Sequence, residues 1–290
     1  MQKQSPLGII AGQGQFPFLV VQAAKRLGRP TVAVGFREHT RPELFAVVDH
    51  MAWIRLGQMG RMLSFFKKHR VTDIVFAGGI NKPRALEILP DFKAALLLLQ
   101  TRSKNDNAIL QSVVRAMENQ GFNVVSPIDF VPELMTPEGV MSKRAPDKRE
   151  QRDIEFGWPL AKELGRMDIG QCLVVKESMV VAVEAMEGTN ATILRGGELA
   201  GPGCAIIKVF KPGQEQNVDQ PAIGKDTIEV MRQAGATCLA VEAGRSLFFD
   251  REQAVRLADE HGIAVVGKTS DEPPEQLWSS ENEPGGSSTA

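Results

Sequence analysis

The apolar positions of the chain open in the order strand, glycine turn, helix, strand. Leu7-Gly8-Ile9-Ile10-Ala11 is a continuous apolar run of strand length, Gly12-Gln13-Gly14-Gln15-Phe16-Pro17 interrupts it, and apolar residues then recur at helical intervals to about Leu27. Thr31 to Phe36 supplies a second apolar strand, which gives the order of a βαβ unit and hence a parallel sheet. Met51 to Leu56 alternates as a strand, Met59 to His69 has helical spacing, and Asp73 to Ala77 is another buried strand, ending in Gly78-Gly79-Ile80-Asn81-Lys82-Pro83. Helical patterns follow over Asp91 to Gln100, with Asp91 as a cap, and from the candidate cap Asp106 to about Gln120. A short strand, Phe122 to Val125, completes an N-terminal Rossmann-like domain over residues 1–129.

The second half has a different rhythm. Four prolines, at 127, 132, 137 and 146, and the mixed-charge run Asp147-Lys148-Arg149-Glu150 mark residues 130–151 as a connecting segment. A helical pattern resumes over Arg152 to Leu164. Two apolar runs, Cys172 to Lys176 and Met179 to Val183, flank the two-residue turn Glu177-Ser178, so a hairpin is expected and the second sheet is mixed. A helix beginning over Ala191 to Arg195, the strand Ala205 to Phe210, the helix Lys225 to Ala234, the strand Cys238 to Val241, the helix Arg251 to His261 and the strand Ile263 to Val266 fill a C-terminal α/β domain over 152–268. Beyond Lys268 the composition, acidic and rich in Ser, Gly and Pro, predicts a disordered acidic tail over 269–290. The fold class is therefore α/β, with two domains.

Composition narrows the function. At 290 residues and 43% hydrophobic content the chain can bury two cores. A formal net charge of −1 argues against a nucleic-acid partner held by a general basic surface. Cys172, Cys204 and Cys238 are widely spaced and odd in number, which suggests neither a disulfide framework nor a zinc knuckle, and the four histidines lack metal-ligand spacing. The N-terminal residues lack a signal-peptide layout, and the aliphatic block Ala94 to Leu99 is too short for a bilayer, so a soluble or peripheral protein is expected.

Candidate chemistry collects in loops. Gly12, Gly14 and Gln15 lie where a strand–loop–helix unit can receive phosphate at a helix N-terminus, but Pro17 stands at the place of the third glycine of a dinucleotide fingerprint, which disfavours redox chemistry. Gly78 and Gly79, with Lys82 beside them, form a second glycine turn at a strand end. The run Lys208 to Gly224 combines charges, amides such as Gln214 and turn residues around a single aspartate, Asp219; Pro212-Gly213 and Pro221 make it a loop. The segments holding Glu187, Gly188 and Thr189, and Glu242 with Arg245, end other strands. Capping and solvated turns are the competing readings for each.

In order along the chain, the segments Gly8 to Pro17, Gly78 to Pro83, Glu184 to Thr189, Lys208 to Gly224 and Val241 to Arg245 resemble the LpxI-type UDP-2,3-diacylglucosamine pyrophosphatases of lipid A biosynthesis. The resemblance implies Mg2+-dependent hydrolysis of UDP-2,3-diacylglucosamine to UMP and 2,3-diacylglucosamine 1-phosphate (lipid X), with water attacking the α-phosphorus and the aspartate aligned with Asp219 essential. It also implies a cytoplasmic enzyme, peripheral at the inner membrane, and leaves room for a homodimer. Residue chemistry fits such a reaction: Lys208, Lys211 and Arg245 carry positive charge, Asp219 can bind metal or accept a proton, and Glu187 or Glu242 can complete an oxygen site, with a loop cap or salt bridge as the alternative for those two. Asn190, Asn107, Glu215 and Asn217 depart from the family pattern, removing two acidic positions and an arginine. A non-catalytic lipid- or sugar-nucleotide-binding protein on the same scaffold is the alternative.

Overall fold

The computed structural model describes residues 5–80, 91–92, 94–95, 106–212, 218 and 220–270. Strands β1 (Leu7–Ala11), β2 (Thr31–Phe36), β3 (His50–Ile54), β4 (Asp73–Ala77) and β5 (Asn123–Val124) form an all-parallel sheet in the order β3-β2-β1-β4-β5. β1 and β2 are buried along their whole length, as expected of strands covered on both faces. Helix α1 (Phe16–Arg26) places Val20, Val21 and Ala24 against Ile9 and Ala33 on one face. Helices α2 (Met59–Lys68) and α3 (Asp106–Glu118) place Phe66 and Met117 against Ile10, Val34 and Ile74 on the other. Each such fully buried side chain contributes about 1.5–3 kcal/mol.

Asp91 caps as predicted, its carboxylate accepting from Ala94 N (2.9 Å) and from Gly60 N (2.6 Å) at the start of α2. Phe92, Ala94 and Ala95 are helical; the rest of the predicted helix to Gln100 and the side chain of Asp106 lie outside the described residues.

The segment 130–151 is more structured than its prolines suggest. Gly139–Val140 (β6) joins the second sheet, and helix α4 (Lys148–Arg166) begins inside the mixed-charge run. Asp147 accepts from the N–H groups of Arg149 and Glu150 (both 2.8 Å) while Glu150 accepts from Asp147 N (2.8 Å), a capping box. Such a first turn is polar, so apolar spacing cannot reveal it.

Strands β7 (Cys172–Lys176) and β8 (Met179–Val183) form the expected hairpin. Glu177 and Ser178 both have positive φ, 51° and 55°, and both N–H groups donate to Asp153 of α4 (3.2 and 2.6 Å). Then follow α5 (Thr189–Ala200), β9 (Ala205–Lys208), β10 (Ala222–Ile223), α6 (Lys225–Ala234), β11 (Cys238–Glu242), β12 (Leu247–Phe248), α7 (Arg251–Glu260) and β13 (Ala264–Lys268). The sheet runs β6-β13-β11-β9-β7-β8, parallel over β13, β11 and β9 and antiparallel at both flanks, a mixed sheet as predicted.

β10 and β12 pair with each other and reach the first domain. Leu247, Ala222 and Phe249 pack into the cluster that holds Phe16 and Val131, and the rings of Phe16 and Phe249 meet edge to face at 5.3 Å. Thr269 and Ser270, assigned to the tail by composition, instead hydrogen-bond to Glu138 (3.3 Å) and Glu242 (2.7 Å); residues 271–290 lie outside the described residues. Among the described residues no helix is long and apolar enough to cross a membrane.

Candidate active site

The first sheet changes direction between β1 and β4, and the loops leaving these strands meet there. Gly12 N donates to Ala77 O (2.8 Å) and Gln13 N to Gly79 O (2.7 Å). A Cβ on Gly12 would overlap the carbonyl oxygens of Gly78 and Gly79, and Gly78 adopts φ +88° with its own Cβ position against Gln13 O. The two glycine turns are thus locked backbone to backbone, an approach that side chains would block. Helix α1 starts immediately afterwards, with no side-chain cap at Gln15 and no acidic residue in its first turn, so the positive end of the helix is left uncompensated by its own sequence.

That end opens onto a cleft of about 610 Å³ between the domains. Gln13, Gly14, Gln15, Phe16, Gly78 and Gly79 line one wall with Arg41; Val218, Gln220, Gly224, Lys225, Asp226, Thr227, Phe249 and Asp250 line the other. Gly224 to Thr227 are the start of α6, so two helix N-termini face one space, an arrangement suited to anions. Gln15 donates across the cleft to Asp250 (2.6 Å), tying the walls together. The buried side-chain oxygen of Gln220 has no partner among the described residues.

The predicted site residues separate into groups. Gly14, Gln15, Gly78 and Gly79 line the cleft and Gly12 supports it. Asp219, Gln214 and Lys82 lie outside the described residues, as do Glu215 and Asn217; the neighbours of Asp219, Val218 and Gln220, are both on the cleft wall. Lys208 stands just behind that wall, its ammonium donating to Ala222 O (2.8 Å). Lys211 pairs with Asp168 (2.9 Å), and the Arg245 guanidinium lies 5.9 Å from the Phe210 ring centre.

Glu187, Gly188 and Thr189 form the turn into α5, with Asn190 in its first turn. Glu187 accepts from Ala185 N (3.1 Å), Thr192 (3.3 Å) and Arg195 (2.6 Å); its own backbone N–H and then Arg195 hold its carboxyl below the usual range. Thr189 donates to Glu184 (2.9 Å). Glu242 is fully buried and accepts from Lys162, Phe210 N and Ser270. These are the contacts of a loop cap and a buried ion pair. Glu242 ends β11 whereas Glu187 lies in the turn after β8, and the two carboxylates share no hydrogen-bond partner among the described residues. Among the described residues no group of three or more His, Cys, Asp or Glu is placed to hold a metal ion. Burial pushes the thiols of Cys172, Cys204 and Cys238 upward, which leaves them protonated and unreactive at neutral pH.

Spacing did not single out Arg41, Gln220, Lys225, Asp226 or Asp250. The available signal was Gly224-Lys225-Asp226-Thr227, a glycine followed by a polar helix start after a strand. Asp250, at φ +48°, reads in sequence only as an ordinary cap for α7.

Family models match the chain in two consecutive pieces, the LpxI N-terminal domain over residues 6–134 and the LpxI C-terminal domain over residues 137–266. The UDP-2,3-diacylglucosamine pyrophosphatase LpxI of Caulobacter vibrioides is 33% identical over 279 residues, covering 92% of this chain and 99% of that protein. The bifunctional purine biosynthesis protein PurH of Bacillus subtilis is 25% identical over 193 residues, 62% of this chain and 34% of that protein. Among solved structures, the biotin carboxylase domain of a thermophilic 2-oxoglutarate carboxylase aligns with a TM-score of 0.27 at 14% identity, covering 59% of this chain and 35% of that one. With both domain models matched in order and a relative aligned over 92% of this chain and 99% of its own length, this chain belongs to the LpxI family.

Proposed function

We propose that the interdomain cleft hydrolyses the pyrophosphate of UDP-2,3-diacylglucosamine, releasing UMP and 2,3-diacylglucosamine 1-phosphate (lipid X). The observation that carries this reading is the convergence on one cleft of two helix N-termini, a pair of interlocked glycine turns and both sequence neighbours of Asp219. Helix N-termini and backbone N–H groups offset phosphate charge without a side chain, and Arg41 and Lys225 add cationic charge at the rim.

In the proposed reaction the water oxygen bonds to the α-phosphorus while the bond from that phosphorus to the bridging oxygen breaks. The oxygen stays with the sugar phosphate, and Asp219 accepts the water proton. Gln220 lines the same wall, and its buried side-chain oxygen, without a partner among the described residues, is the acceptor proposed for a donor of the uridine portion.

Magnesium fits Asp226 and Asp250 in the cleft better than Glu187 and Glu242. Glu187 and Glu242 are engaged by cations and N–H donors, whereas Asp226 and Asp250 are exposed carboxylates on the cleft wall, and a magnesium ion carried on a pyrophosphate needs only one or two of them. When bound, the ion would supply charge neutralisation between phosphate oxygens. The two acyl chains of the substrate place the reaction at a membrane surface, so the proposed setting is cytoplasmic and peripheral at the inner membrane.

The test supplies purified protein with UDP-2,3-diacylglucosamine and Mg2+ and follows UMP and lipid X together. Equal release of both, lost in Asp219→Ala with substrate binding retained, is the expected result. Tight binding with neither product from the parent protein would replace the enzyme by a binding protein.

A further inference from the structure

The run that carries Asp219 leaves the second sheet at Phe210, and the stem there is held unusually. Sheet pairing of β9 ends at Lys208, opposite Cys172 on β7 and Val241 on β11. Phe210 lies beyond the ladder yet is 3% exposed, so both of its backbone groups need partners away from water. Side chains from two other elements provide them. Glu242, the last residue of β11, accepts from Phe210 N (2.7 Å), and Lys162, from the C-terminal part of α4, donates to Phe210 O (3.2 Å).

The two side chains also pair with each other, Lys162 Nζ standing 3.0 Å from both Glu242 oxygens. Ser270 donates to the same carboxylate (2.7 Å), and Arg245 approaches it at 3.8 Å. At 6% and 0% exposure the pair is deep in the domain, where desolvation makes an ion pair a poor source of net stability compared with apolar packing. Its distinctive property is geometric, because it fixes both backbone polar groups of Phe210, and so two successive peptide planes, at the point where the chain departs toward the cleft. The returning stem is fixed as well, by Lys208 on Ala222 O, and between the stems Val218 packs on the core of the first domain.

We propose that Lys162 and Glu242 are positioning residues for the reaction in the cleft, a buried ion pair that holds the stem of the Asp219 segment in register with the first domain. The inference rests on the proposed role of Asp219. It also gives Glu242 a task other than metal ligation.

The test is the double variant Lys162→Met/Glu242→Gln in the full chain. It removes both charges, keeps the shapes, and leaves an amide oxygen for Phe210 N. The expected result is a melting temperature close to the parent's, faster amide exchange over residues 205–212, and a kcat lowered on the order of 10- to 100-fold with KM little changed, since misplacing a group by about 1 Å costs that much. A double variant that folds and turns over at the parent rate overturns the proposal, as does exchange at the stem as slow as in the parent. A parent protein that releases no UMP would instead remove the functional reading, and the exchange measurement would still decide whether the pair holds the stem.

Discussion

The two walls of the cleft are made of different material. The first-domain wall is built on backbone: Gly12 and Gly78 interlock at the strand ends, and α1 begins directly after them. The second-domain wall is chain that has left its sheet and is held by side chains, Lys162 and Glu242 at one stem and Lys208 at the other. A backbone wall can be shaped for an anion but offers no proton acceptor, whereas a wall held by side chains can carry one at the cost of buried charges. Under the proposed function both walls meet the pyrophosphate, through the starts of α1 and α6, and the second also carries the proton acceptor.

The contrast predicts how each wall breaks. Lys162→Ala leaves Glu242 charged, buried and without its main partner, and should destabilise the protein by about 3–5 kcal/mol, measured by urea unfolding. A loss below about 1 kcal/mol would mean that water already reaches the pair. Gly12→Ala drives a methyl into two backbone carbonyls that cannot swing aside, and should cost roughly 3 kcal/mol and abolish turnover together, because the clash spreads the two glycine turns apart.

These two predictions also mark what the amino-acid order reveals. Gly12 and Gly78 are legible because an apolar strand run stops at a glycine, and local spacing is all that reading requires. The Lys162–Glu242 pair joins residues 80 positions apart on a helix and a strand, so no local pattern announces it, and Glu242 alone reads equally well as a metal ligand. The start of α4 was hidden for another reason, since Asp147 and Glu150 satisfy backbone N–H groups with polar side chains and leave no apolar period. Asp226 and Asp250 stand at helix starts, where acidic residues are ordinary, and only the domain seam brings both to one cleft.

A smaller effect should appear with pH. Burial by itself would raise the Glu150 carboxyl, but hydrogen bonds from Arg144, Thr237 and Asp147 N outweigh it and hold the group below its ordinary value. A folded value below the unfolded one means that the stabilisation is complete above the unfolded value of about 4.5 and is lost as pH falls through the folded value. Unfolding measured from pH 7 down to pH 3 should show stability declining in the acid range, and Glu150→Gln should flatten that part of the decline; an unchanged profile would remove Glu150 from the account. The smallest change is expected at Gly79→Ala, where a Cβ meets nothing within 4 Å: stability should stay within about 0.5 kcal/mol of the parent, which separates the glycines whose Cβ positions are blocked by backbone from the one whose Cβ position is open.

The most direct measurement is turnover of UDP-2,3-diacylglucosamine by the intact protein with Mg2+ in heavy-oxygen water, with both products weighed by mass spectrometry. The account predicts UMP and lipid X in equal amounts, with the heavy oxygen in UMP. Heavy oxygen in lipid X, or bound substrate that yields no UMP, would contradict it.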